Sequence, residues 1–335
     1  LGGSAIAAAV GIRVGLRFSY LWKNCNPDRS QSLSETEKKK QRELIAKMWE
    51  GVDNEIYDKN SHEWWLLSSS FSSGLHAMTR MRAPYFLEHA SKYLGWDDTQ
   101  RKEQELNILD IGCGGGILAE ALVLSAIDKH QYKKVKLQGI DLAGAAIQVA
   151  QAHSQQFHYS LPHELQDCDV KFEFQKADAC SLCEVITESS VDIVVAADVL
   201  EHVLDVEEVI KSVSRVLKPG GIFVFDTINR TFESYLLSIF LAQELPFGLS
   251  VLPSHTHEWG MFIKPTELES LCEANQMKIF ALHGFRPKCD AVLLRALLCR
   301  SKIHQTNFIL TNNLSNQFIG CAQKQKQTQT QIITN

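Results

Sequence analysis

The sequence predicts an α/β fold built on a mostly parallel sheet with helices on both faces. Two observations predict it. Five short apolar runs between Leu106 and Phe225 alternate with helix-compatible stretches, and the first run stops at a glycine cluster, Gly112-Cys113-Gly114-Gly115-Gly116. Strands joined through helices of that length need right-handed crossovers, which cover both faces of the sheet and explain runs that are apolar throughout rather than alternating.

The elements follow in order. Leu106–Ile111 is the first strand, and a helix runs on to about Ile127. Val135–Ile140 is the second, ending at Asp141, with a helix near Ala145–His153. Val170–Phe174 is the third, ending before Asp178; Val191–Ala197 is the fourth. A helix over Glu207–Leu217 is closed by Pro219-Gly220-Gly221, and Ile222–Phe225 is the fifth strand. Ahead of the sheet, Leu44, Ile45 and Met48 punctuate a charged stretch, so Ser34–Val52 reads as an amphipathic helix; after Pro84, Tyr85–Leu94 reads as another. These boundaries give a helical cap at 34–104 and a sheet domain at 105–322. The Gln/Thr-rich residues 323–335 form a disordered, solvated tail.

Composition removes several function classes. With 34 basic and 39 acidic side chains the net charge is −5, which argues against a dedicated nucleic-acid binder. Nine cysteines, an odd number thinly spread, do not make a secreted disulfide framework and point to a reducing compartment. No apolar run reaches the ~20 residues needed to cross a bilayer. Residues 1–33 carry Arg13, Arg17, Lys23 and Arg29 with no acid before Asp28, the composition of a mitochondrial transit segment that stands apart from the fold.

The glycine loop opens a helix after the first strand, where glycines let the chain turn tightly and let a ligand approach closer than a Cβ allows. A pyrophosphate-binding loop wants its third glycine where Ile117 stands, so the Gly-x-Gly-x-Gly spacing disfavours a nicotinamide dehydrogenase. Asp141, at the tip of the second strand, is placed to hold both hydroxyls of a ribose. Gly112, Gly114 and Asp141 together make the S-adenosylmethionine arrangement. Asp178, after the third strand, either meets the adenine amino group or is a solvated strand-end acid.

A second cluster follows the fourth strand. If the chain turns helical at Asp198-Val199-Leu200-Glu201-His202, Asp198 shares a face with Glu201 and His202 at i+3 and i+4. Two carboxylates and an imidazole there make either a divalent-cation site, with Mg²⁺ suiting the oxygens, or a cation-free arrangement in which the histidine positions substrate. Beyond the fifth strand, Tyr235–Pro253 is apolar but broken by Glu244, Pro246 and Gly248. It is too short to span a bilayer; it either lies in the membrane interface or packs over the sheet.

These residues resemble the ubiquinone-biosynthesis O-methyltransferases, over roughly Trp64 to Met277. The resemblance rests on Trp64-Trp65, the Gly74-Leu75-His76 to Arg82 stretch, Leu109 to Glu120, Gly139-Ile140-Asp141, Asp198 to Val203, Leu217 to Gly221, and Thr256-His257-Glu258-Trp259 through Leu268. It implies a Rossmann-like class I methyltransferase with a mostly parallel seven-stranded sheet, an N-terminal helical extension and an insertion at 235–264. It implies S-adenosylmethionine held by Arg82 at the methionine carboxylate, by Gly112 and Asp141, and by the backbone of Ala197, to which the reading of the residues adds Gly114 and Asp178. It also implies a cation, Mg²⁺ in first place, on Asp198, Glu201 and His202. Asp198 departs from the glutamate usual at its position, and the match ends after Leu282, with Ala291–Ile303 unlike the family.

The activity so implied is metal-assisted methyl transfer to a catechol-type hydroxyl of 3-demethylubiquinol or a polyprenyl-dihydroxybenzoate, with Glu201 and His202 as the catalytic residues. His257 either relays the proton or packs against Trp259. The setting would be the matrix face of the mitochondrial inner membrane, in peripheral contact with lipid and in a complex with other ubiquinone-biosynthesis proteins. Two rival readings are a cation-independent methyltransferase of small molecules and a non-catalytic S-adenosylmethionine-binding subunit.

Overall fold

The computed structural model describes residues 17–25, 28–29, 35–53, 55–69, 71–244, 252 and 255–326. Helices α1 (residues 17–25), α2 (Glu35–Trp49) and α3 (Ile56–Lys59) lead to α4 (Ser73–Leu94) and α5 (Asp98–Glu103). The sheet then begins: β1 (Glu105–Ile111), α6 (Ile117–Asp128), β2 (Lys134–Asp141), α7 (Gly144–Ser160), β3 (Asp169–Lys176), β4 (Val191–Ala197), α8 (Val206–Val216) and β5 (Leu217–Ile228). After the turn α9 (Phe232–Ser234) and a π-helix over Tyr235–Glu244 come α10 (Pro265–Ala274), β6 (Met277–Pro287), α11 (Ala291–Leu298), β7 (Phe308–Thr311) and β8 (Gln317–Lys324).

The strand order is β3-β2-β1-β4-β5-β8-β6-β7. The first five strands pair in parallel, and β8 runs antiparallel to both β5 and β6. The α/β class holds, with eight strands where seven were expected. The additional one is β7, which pairs antiparallel with Gly284–Pro287 at the sheet edge. It arises because the segment unlike the family folds back on β6.

Period-two alternation sends Ile108, Val195 and Val224 to one face, against Phe86 and Leu87 of α4, Leu122 of α6 and Ile147 of α7. It sends Leu109, Val194 and Phe223 to the other, against Val209 and Val213 of α8 and Leu268 of α10. Helix α4 begins at Ser73, upstream of the expected start after Pro84. Pro84 lies mid-helix and leaves the Arg80 carbonyl without its main-chain donor. Burial of Ala83, Tyr85, Phe86 and Leu87 on both sides of it holds the helix together.

Residues 1–16 of the expected transit segment lie outside the described residues. From Arg17 the chain is built into the body. Phe18 packs on Tyr235 at 4.7 Å, Phe232 at 4.9 Å and Trp259 at 5.6 Å, and Leu21 and Cys25 are buried. Arg17 pairs with Glu258 at 3.1 Å, and Thr266 Oγ1 donates to Asp28 at 2.6 Å. Of the expected tail, β8 takes residues through Lys324, and 327–335 lie outside the described residues. No described helix is long and apolar enough to cross a membrane.

Candidate active site

Parallel pairing brings the carboxyl ends of β1, β2 and β4 to one edge, with Ile111 beside both Ile140 and Ala196. The glycine loop leaves that edge with its N–H groups tied back: Gly112 and Cys113 both donate to the Ile140 carbonyl, at 2.8 and 3.0 Å. Gly112 and Gly114 adopt φ +68° and +50°, the left-handed region open to glycine at little cost. A Cβ on Gly114 would also lie 2.2 Å from the Trp64 ring, so the indole is seated directly on the loop. Trp65 Nε1 donates to the Gly115 carbonyl at 2.9 Å, and the Trp65 ring stacks on His153 at 3.4 Å. The tryptophan pair thus closes over the glycines.

Asp141 Oδ2 accepts from the Gly114 N–H at 2.9 Å and Oδ1 from the Ala143 N–H at 2.8 Å. Each oxygen keeps a lone pair for a ribose hydroxyl. Burial pushes this carboxyl above its ordinary value, against the pull of those N–H groups. Ala197 ends β4 at the same edge. Asp178 is exposed and accepts from the Cys180 N–H at 2.9 Å, capping the turn that follows β3.

The second cluster departs from its helical expectation. Asp198 takes φ +53°, and only a single 3₁₀ turn, Leu200–His202, follows it. The i, i+3 and i+4 geometry is lost, and Asp198 instead meets Arg82, with Nη2 at 2.6 Å from Oδ1. The same Nη2 lies 2.7 Å from Asp226 on β5. Burial alone would raise the Asp198 carboxyl, but the Arg82 charge and hydrogen bond hold it below the usual range. Asp226 is pushed well above that range by burial, with Asp198 and Glu201 adding to it. Arg82, expected at the methionine carboxylate, is buried between these two acids.

His257 joins Glu201 and His202 instead. The three side chains offer ligand atoms that lie within 4.8 Å of one another. Glu201 is 1 % exposed; its Oε2 accepts from Thr227 Oγ1 at 2.7 Å, while Oε1 has no partner. The Nδ1 atoms of His202 and His257 are likewise buried without partners. Burial, then Asp198, pushes the Glu201 carboxyl up to about 8. Burial pushes the imidazoles down to about 4 at His202 and about 3 at His257, so at neutral pH both present lone pairs. One acid and two neutral imidazoles, each with an unsatisfied buried atom, fit a divalent cation.

Thr227 and Gln243 were not anticipated. Gln243 Oε1 accepts from the His257 N–H at 2.7 Å, so the π-helix after β5 fixes the histidine. Residues 245–251 and 253–254 of the expected membrane insertion lie outside the described residues. Beside the cluster, Trp49 donates Nε1 to the His202 carbonyl at 3.1 Å and walls a cavity of about 620 Å³, lined also by Glu50, Asp53, Glu55 and His255.

A family model described as a methyltransferase domain matches residues 80–282. The ubiquinone biosynthesis O-methyltransferase of Paracidovorax citrulli is 32% identical over 228 residues, 68% of this chain and 82% of that protein. The mitochondrial ubiquinone biosynthesis O-methyltransferase of Homo sapiens is 32% identical over 67% of this chain and 55% of that protein. A solved S-adenosylmethionine-dependent methyltransferase from Methanosarcina mazei aligns with TM-score 0.43 and 25% identity, over 68% of this chain and 96% of that one. The chain belongs to the ubiquinone biosynthesis O-methyltransferase family and is an S-adenosylmethionine-dependent O-methyltransferase.

Proposed function

We propose that the enzyme methylates a catechol-type hydroxyl of a polyprenylated ubiquinone precursor, with a divalent cation held by Glu201, His202 and His257. The observation that carries the cation is that Glu201, His202 and His257 offer ligand atoms within 4.8 Å of one another, and that each residue also holds a buried polar atom without a partner. When bound, a cation there would lower the pKa of a catechol phenol and orient its oxygen toward the donor methyl.

The chain's own residues do the rest. Asp141 holds the ribose of the donor at the sheet edge, where Trp64 covers Gly114 and Val199 lies against Gly112. Arg82 anchors Asp198 and Asp226 below the cluster, which keeps Asp198 anionic beside Glu201. The acceptor approaches through the cavity beside Trp49. Glu50, Asp53 and Glu55 would repel the carboxylate of a dihydroxybenzoate, so the uncharged quinol is the better substrate. A polyprenyl tail keeps that quinol in the bilayer, so the enzyme works as a peripheral protein. The mitochondrial relative supports a mitochondrial setting; within it, the matrix face of the inner membrane, beside other enzymes of the pathway, suits a lipid-borne acceptor.

Mass spectrometry of the product from a demethylated quinol and S-adenosylmethionine, with Mg²⁺ and then with chelator, tests this. The expected result is one added methyl, formed at a rate that collapses with chelator and in Glu201→Gln. Turnover unchanged by both would remove the cation. Absence of product from any quinol would remove the acceptor.

A further inference from the structure

We propose that helix α11 is a lipid-docking element, seating an exposed leucine stripe on an anionic membrane surface. Leu294, Leu297 and Leu298 are 60, 60 and 81 % exposed, and their i, i+3, i+4 spacing puts them on one face. Ala296, on the opposite side, is buried, so the helix turns its apolar stripe outward although its other side is already packed. The helix is held in place. Asp290 caps it by accepting from the Val292 and Leu293 N–H groups at 3.0 and 3.1 Å, and Arg80 Nη2 donates to the Thr306 carbonyl at 2.8 Å just beyond it.

Charge decides the occupant. From Arg286 to His304 the chain carries Arg286, Lys288, Arg295, Arg300 and Lys302 against one acid, Asp290, in a protein of net charge −5. Arg286, Lys288, Arg295 and Lys302 are exposed. A leucine face rimmed by basic side chains matches a bilayer with anionic headgroups. A second copy of the same face would bring like charges together across a two-fold axis.

Topology places the stripe where it serves the reaction. Ile228 of β5 and Phe285 of β6 both pair with Gln317 of β8, so β5 and β6 end at the same edge as the glycine loop and Glu201. The π-helix after β5 leaves that edge too and exposes Leu236, Leu237 and Leu241. The inference shares with the proposed function only the premise of a membrane-borne acceptor.

Vesicle flotation separates the two. Wild type is floated on phosphatidylcholine vesicles with and without phosphatidylglycerol, beside Leu294→Ser/Leu297→Ser/Leu298→Ser and Arg295→Glu/Lys302→Glu. Wild type should partition to anionic vesicles and do so less as salt rises. The serine variant should lose roughly tenfold or more of that partition, and the charge variant should fall to its level on neutral vesicles. Calorimetric affinity for S-adenosylhomocysteine and methylation of a short-chain, water-soluble quinol should match wild type in both, showing folded enzyme and reading the proposed function independently. Three results would overturn the proposal: no wild-type binding to anionic vesicles, a serine variant that binds like wild type, or a wild-type dimer in sedimentation that the serine variant dissociates.

Discussion

At the glycine loop the chain satisfies its own carboxylate: both oxygens of Asp141 accept main-chain N–H groups from residues within thirty positions of it. Around Glu201 it does the opposite, burying an acid and two imidazoles with an unpartnered atom on each. The proposed donor side is a shape made by backbone, with the Trp64 indole seated on it. The proposed acceptor side is an electrostatic deficit, assembled from two distant segments and stable only because the rest of the fold outweighs it. The difference shows why two sites on one sheet edge respond to different perturbations.

Arg82 belongs to the framework beneath both. Arg82→Met would leave Asp198 and Asp226 facing each other in the core, and an uncompensated buried charge costs about 3–5 kcal/mol. Urea denaturation should show that loss. A loss under 1 kcal/mol would mean that both acids simply take up protons, and that the guanidinium is free to serve the donor.

Asp141→Ala breaks the donor side alone. S-adenosylhomocysteine should bind about 100-fold more weakly by calorimetry, from two lost hydrogen bonds to a carboxylate, while Mn²⁺ affinity is unchanged. A parallel fall in Mn²⁺ affinity would erase the independence of the two sides.

How far each side was readable follows from the same contrast. β4 runs over Val191–Ala197 as expected, because a strand buried on both faces announces itself as an unbroken apolar run. Gly112, Gly114 and Asp141 were legible because turn geometry and strand ends are local. His257 was visible only as one histidine of a motif, and no spacing rule ties residue 257 to residue 201. Asp198 misled because its α-helical register was assumed, whereas a positive φ turns its side chain to Arg82. Residues 17–25 carry two signals at once: their composition without acids reads as a transit segment, and their aromatic residues pack a helix against Trp259.

The acceptor side should titrate. With the Glu201 carboxyl pushed up to about 8 by burial and then by Asp198, it is protonated at neutral pH without a cation and must release that proton on binding one. Apparent Mn²⁺ affinity should therefore climb with pH, by up to about tenfold per pH unit, and level off above about pH 8. A flat profile would mean that Glu201 is already ionised.

A further pH effect concerns Asp110, whose carboxyl is pushed up to about 8 by burial and then by Asp141. An acid raised on folding stabilises while protonated in both states. Its contribution is whole below the unfolded value near 4 and is lost as pH rises through about 8. Asp110→Asn should spare that loss, gaining stability over wild type as pH rises toward 8 and nothing at pH 4. Thermal melts across that range would show the gap opening, and a constant gap would contradict the burial account.

Electron paramagnetic resonance of Mn²⁺ binding, on wild type, His257→Ala and Asp198→Asn, tests the central claim most directly. If the cation rests on Glu201, His202 and His257, His257→Ala loses about tenfold or more in affinity while Asp198→Asn, still hydrogen-bonded to Arg82, stays near wild type. The reverse pattern would return the cation to Asp198 and contradict the account.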